Sequence, residues 1–184
     1  MVSNDWDAVA ALASCPIVSW RGPAWRIHRQ RYAATDPGGS LKVSGRYHRG
    51  ADRFAPEQTW PALYLALSPE AALGELVRHI TPELLPHLNG FRISEIAVTL
   101  SHIADCRDAI RLGVPPATMV DDFDYSVTQD LGAAAYAAGL EGLLVPSATA
   151  LGDNLVVFTS QLRDDAKLEI VGSRDPRLYP NRPD

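Results

Sequence analysis

Six arginines, Arg26, Arg29, Arg31, Arg46, Arg49 and Arg53, fall within 28 residues of a chain whose net charge is −5. Guanidinium binds phosphate bidentately, so this cluster suits a phosphate-bearing ligand, although arginine is ordinarily exposed and the same cluster reads equally as solvated surface. Tyr64 lies inside the apolar run Ala62-Leu63-Tyr64-Leu65-Ala66-Leu67. Its ring either packs in the core or stacks on a planar ligand with the hydroxyl left free to hydrogen-bond. Glu75 sits about 200° around a helix from Leu73, on the polar face, where a glutamate is either solvated or turned to a ligand. Ser147, after Pro146, either ends a strand or binds, and Asn154 either serves a turn or binds.

These side chains need elements to hold them. Ser68-Pro69-Glu70 opens the clearest helix, with a Ser cap, proline in the first turn and an acid near the positive end of the dipole. Leu73, Leu76, Val77 and Ile80 follow helical spacing as its core stripe, and Pro82 ends it. An alanine-rich helix is expected from Asp5 to Ser14 behind an Asn4 or Asp5 cap. A second begins at Ser126-Val127-Thr128-Gln129, which has capping-box spacing, and Gly139 can terminate it; its small residues permit close backbone packing. Strands are expected at 24–28, 62–67, 96–100, 142–145, 154–160 and 167–171, with the turn Asp36-Pro37-Gly38-Gly39-Ser40 after the first. Strands and helices do not alternate regularly, which favours α+β over a doubly wound sheet.

Composition narrows the function classes. A length of 184 residues suits one domain. With 17 basic against 22 acidic residues the chain has no global field for nucleic acid, and direct nucleic-acid binding is not expected. The acidic run Asp121-Asp122-Phe123-Asp124 lacks the register of a calcium loop and reads as a solvated loop. Cys15 and Cys106 form no C-x-x-C pair, and the five histidines show no paired ligand spacing, so no metal is expected. G-x-G-x-x-G, G-x-x-x-x-G-K-[ST], H-E-x-x-H and G-x-S-x-G are all absent, which removes support for dinucleotide-fold dehydrogenases, P-loop enzymes, zincins and typical α/β-hydrolases. The start of the chain carries Asp5 and Asp7 where a signal peptide needs positive charge, no apolar run approaches the ~18 residues of a membrane span, and a cytoplasmic location is expected.

Taken in order, Trp25-Arg26-Ile27, Ser44-Gly45-Arg46-Tyr47-His48, Leu63-Tyr64-Leu65-Ala66, Ser68-Pro69, Glu75-Leu76-Val77-Arg78-His79, Val145-Pro146-Ser147-Ala148 and Asn154-Leu155 resemble the RES domain, a family of toxins of bacterial toxin–antitoxin pairs. The resemblance implies a single α+β domain like the ADP-ribosyltransferases, with central split β-sheets and flanking helices, acting on NAD. It assigns residues 24–172 to the catalytic domain, 1–23 to a helical N-terminal extension and 173–184 to a tail. The family's Arg–Tyr–Glu set falls on Arg46, Tyr64 and Glu75, with Arg26 and Ser147 completing the pocket and Tyr32, His48 and Asn154 as neighbours. Tyr47 replaces a commoner tryptophan, and the segment between Arg46 and Tyr64 is longer than usual.

The implied activity is NAD cleavage with water or phosphate as acceptor. The alternatives are mono-ADP-ribosyl transfer to a target protein and a non-enzymatic nucleotide-binding module. The implied partner is a cognate Xre/ParS-like antitoxin. A carboxylate suits this chemistry because breaking the nicotinamide–ribose bond passes through an oxocarbenium-like transition state.

Overall fold

The computed structural model describes residues 6–79 and 88–178. In chain order its elements are α1 (Ala8–Ala13), β1 (Ile17–Arg29), β2 (Ala62–Ala66), α2 (Pro69–His79), β3 (Phe91–Asp105), α3 (Pro116–Met119), α4 (Ser126–Ala137), β4 (Gly142–Pro146), β5 (Asp153–Phe158) and β6 (Lys167–Arg174). The class is α+β, one domain built on a six-stranded sheet in the order β1-β2-β5-β4-β3-β6.

β1 and β3 also pair with each other along nearly their whole length, from Ile17↔Ala104 to Arg29↔Phe91. That pairing closes the first five strands into a ring. Because β1 occupies one edge of β3 throughout, β6 and β4 must share the other: β6 takes the stretch from Ile93 to Thr99 and β4 the stretch from Ile103 to Asp105. The split expected of this architecture therefore lies on a single strand.

Both long strands exceed their expected spans. β1 starts at Ile17, upstream of Gly22 and Pro23, which look like breakers in the sequence. Proline is tolerated there because the edge of β1 away from β3 meets β2 only at Trp25↔Ala66, so no ladder bond is required of residue 23. The helical reading of residues 1–23 thus holds only for α1, which begins after Asp7, whose side chain caps Val9 N at 2.8 Å. Residues 1–5, with the expected caps Asn4 and Asp5, lie outside the described residues, as do Ile80, Pro82 and residues 179–184.

Side-chain alternation then makes the two larger cores, and a third, smaller cluster of Ala66, Ala71, Ala72 and Ile93 lies under α2. Leu63 and Leu65 point inward with Ile96, Val98, Leu100, Leu144, Leu155 and Val157 and fill the ring. Their neighbours Ala62 and Tyr64 face outward with Leu143, Val145, Val156 and Phe158, against α1 and α4. Cys15 and Cys106 are buried in this second core with free thiols, Sγ to Sγ 3.4 Å. Among the described residues no helix is long and apolar enough to cross a membrane.

Candidate active site

The outward face of β2, β4 and β5 carries the chemistry. Ser68 caps α2 as its sequence suggests, its Oγ accepting from Ala71 N at 3.0 Å. The core stripe is the expected one only in part: Leu73 packs against the cluster of Ala66, Ala71, Ala72 and Ile93, and Leu76 borders the site's cavity. Val77 is 61% exposed, whereas Ala71 and Ala72 are buried. Positions 71, 72, 75 and 78 share a helical face, and it is this face that meets the sheet, because two small alanines let the helix come close while Glu75 finds donors there.

Ser147 Oγ donates to Glu75 Oε1 at 2.7 Å and Asn154 Nδ2 donates to the same oxygen at 3.1 Å. Both donors come from the ends of adjacent paired strands, Asn154 lying opposite Val145. The contact with a carboxylate fixes the Asn154 amide with nitrogen toward Glu75, so its buried Oδ1, which has no partner among the described residues, is a free acceptor. The Ser147 proton is committed to Glu75, while Thr149 N and Thr149 Oγ1 approach its oxygen at 3.2 and 2.8 Å. That arrangement holds the Glu75 carboxylate in place, with Thr149 in turn supporting the Ser147 hydroxyl.

Tyr64 is held by a short chain of bonds. Tyr47 N donates to its Oη at 2.9 Å, and His48 Nδ1 lies 2.9 Å from the same oxygen. His48 Nε2 is 2.8 Å from Val43 O, which can only accept, so Nε2 carries the ring proton and Nδ1 accepts from the Tyr64 hydroxyl. The hydroxyl is therefore engaged within the protein, contrary to the expectation that it is left free, and Tyr64 offers a ligand its ring. Burial pushes the Tyr64 hydroxyl pKa up and the His48 pKa down, which keeps this proton arrangement in place near neutrality.

A pH dependence follows. Below pH 6.5, the ordinary histidine value, the unfolded chain takes up a proton that folded His48 resists. Stability from this group is full above pH 6.5 and declines as pH falls toward the folded value, with a slope of at most about 1.4 kcal/mol per pH unit. In His48→Gln that component of the slope disappears. Thermal melts at neutral and acid pH check it, and equal acid sensitivity in variant and wild type would exclude His48 as the source.

The arginine cluster disperses in three dimensions. Arg29 lies over Phe91, Arg31 over Tyr32, Arg49 pairs with Asp130 and Arg53 with Asp52. Arg26 and Arg46 remain at the site. Arg26 Nη1 donates to Ala34 O and Asp36 O at 2.8 Å, tying down the following loop. Burial lowers its pKa, with Asp36 pulling the other way. Arg46 stands over the Tyr125 ring at 4.8 Å and donates to Asp121 O and, at 3.3 Å, to Asp122 Oδ1. Arg78, not among the expected site residues, donates to Asp122 Oδ2 and Ala148 O. Its place one turn after Glu75 was the available signal. The acidic run is thus not merely solvated: Asp122 bridges two arginines, and Arg78 first, then Arg46, hold its carboxyl below the ordinary value.

Arg26, Arg46, Tyr64, Glu75, Arg78 and Asn154 border a cavity of about 480 Å³, within the size range of small-molecule clefts. Of the other expected residues, His48 lies behind Tyr64 and Ser147 behind Glu75, and neither borders the cavity. Tyr32 is 49% exposed and stands outside it.

In fold the chain is similar to a solved structure described as the M. tuberculosis MbcT–MbcA toxin–antitoxin complex, with a TM-score of 0.77 and 23% identity over 94% of each chain. No curated protein matched in sequence. The family model described as RES domain matches residues 23–180, from the middle of β1 to beyond β6 and across every residue that borders the cavity, and the chain belongs to that family.

Proposed function

We propose that the protein is the toxin of a toxin–antitoxin pair and that it consumes NAD by cleaving the nicotinamide–ribose bond. One observation carries this reading: a carboxylate held by Ser147 and Asn154 inside a cavity bordered by arginine guanidiniums and a tyrosine ring. Glu75 faces the reacting ribose and stabilises positive charge as it develops on the ring oxygen and anomeric carbon. The carbon–nitrogen bond breaks with its electron pair going to nicotinamide, which leaves neutral and needs no strong acid. The acceptor oxygen of water or phosphate forms the new bond, and water releases its proton to solvent. The arginines neutralise the diphosphate, and the Tyr64 ring packs on the nicotinamide end. The likeness to a toxin in a toxin–antitoxin complex supports a cognate antitoxin as partner.

The test is mass spectrometry of purified protein with NAD, with and without phosphate, and with a bacterial lysate. Nicotinamide appearing with free or phosphorylated ADP-ribose is the expected result. Mass added to one lysate protein with little free product would make the acceptor a protein, and no nicotinamide at all would overturn the NAD reading.

A further inference from the structure

Arg46 and Arg78 come from a turn and from α2, yet both reach one carboxylate that belongs to neither. Asp122 gives Oδ1 to Arg46 and Oδ2 to Arg78, at the border of the cavity that also holds Glu75. The two guanidinium side chains are mostly covered, 14% and 30% exposed, whereas the Asp122 side chain is 45% exposed. The cations are therefore fixed in the wall and the anion between them stands at the solvent edge.

We propose that Asp122 is a specificity-determining residue that occupies the subsite for a ligand diphosphate and is displaced when a diphosphate-bridged nucleotide binds. This inference rests on the NAD reading of the site for the identity of that nucleotide, and on geometry alone for the subsite. A carboxylate brings one negative charge to two guanidiniums; a diphosphate brings at least two, with oxygens on adjacent phosphorus atoms to serve each arginine separately. Exchange of one for the other improves the charge balance, while a ligand with a single phosphate gains less over the resident carboxylate. Displacement requires only rotation of an exposed side chain. Asp121 O can stay on Arg46 and the Tyr125 ring beneath it, so the arginine keeps its place as the carboxylate leaves. Asp122 thus sets a threshold of charge that a ligand must exceed.

Asp122→Asn removes the competing charge in the same volume. Asp130→Asn, on α4 and paired with Arg49 outside the cavity, removes an equal charge elsewhere and controls for the general field. Calorimetry with inorganic pyrophosphate on the full chain is expected to show about tenfold tighter binding to Asp122→Asn than to wild type, the scale of one charge-assisted hydrogen bond, and no change for Asp130→Asn. Inorganic phosphate should gain less. Pyrophosphate binding that is unchanged, weakened or undetectable in Asp122→Asn overturns the proposal; weakening would mean that Asp122 organises the arginines for the ligand. The NAD assay is separate. Tighter pyrophosphate binding without nicotinamide release from any form keeps the subsite and rejects NAD, whereas release with unaltered pyrophosphate binding does the reverse.

Discussion

Glu75→Gln is expected to lower nicotinamide release from NAD by about 10²- to 10³-fold, the scale of losing one preorganised electrostatic contact in a transition state, with the melting temperature nearly unchanged. The substitution preserves the setting of the side chain. Oε1 accepts from both Ser147 Oγ and Asn154 Nδ2. A glutamine carbonyl can accept from the same two donors, and they select the rotamer that presents its oxygen. The side-chain length, the α2 contact and the hydrogen bonds survive, and only the negative charge is lost. A uniform loss of binding would raise KM and leave kcat, whereas loss of the charge lowers kcat, since substrate carries less positive charge at the ring than the transition state does. Steady-state nicotinamide release, with a thermal melt of the same preparation, decides it. Full activity in Glu75→Gln would remove Glu75 from the chemistry.

How much of this was legible in the sequence depends on the kind of interaction. The start of α2 could be read because Ser68 and Pro69 act locally, through a cap and a fixed φ. Its buried face could be read only in part: Leu73 packs on the core as its spacing suggests, but Val77 is exposed and the orientation of Glu75 is decided by partners distant in the chain, Ser147 and Asn154. The capping box at Ser126 fails for a similar reason. Ser126 is already the first helical residue, Asp124 Oδ1 accepts its N–H, and Gln129 Nε2 reaches across to Gly45 O at 2.9 Å. Arginine density pointed to the right stretch of chain without saying which guanidiniums converge, since a β-strand sends neighbours to opposite faces and Arg29 and Arg31 find aromatic rings on the way. The acidic run misled because polarity alone does not distinguish a loop in water from one that closes on two arginines.

Gly132→Ala should destabilise the whole protein and disable the site together, although alanine is worth about 1 kcal/mol more than glycine inside a helix. A Cβ at position 132 would lie 2.2 Å from Tyr47 O and 2.8 Å from Tyr47 C. Both are backbone atoms, so no side chain can swing aside, and either α4 or the turn at 45–48 must move. Overpacking of this kind costs about 1–3 kcal/mol or more, which exceeds the propensity gain and reverses the sign usual for a helical glycine. The same turn carries the site: Tyr47 N holds Tyr64 Oη, Gln129 of α4 holds Gly45 O, and Arg46 extends from between them toward the cavity. Gly172→Ala, where an added Cβ meets nothing within 4 Å, is the control and should be near neutral. Thermal melts and nicotinamide release measured together distinguish Glu75→Gln, which loses activity at constant stability, from Gly132→Ala, which loses both. A Gly132→Ala protein as stable as wild type would show that the turn can yield by about 1 Å without strain, and that the fit between α4 and the Arg46 turn is looser than the close backbone approach implies.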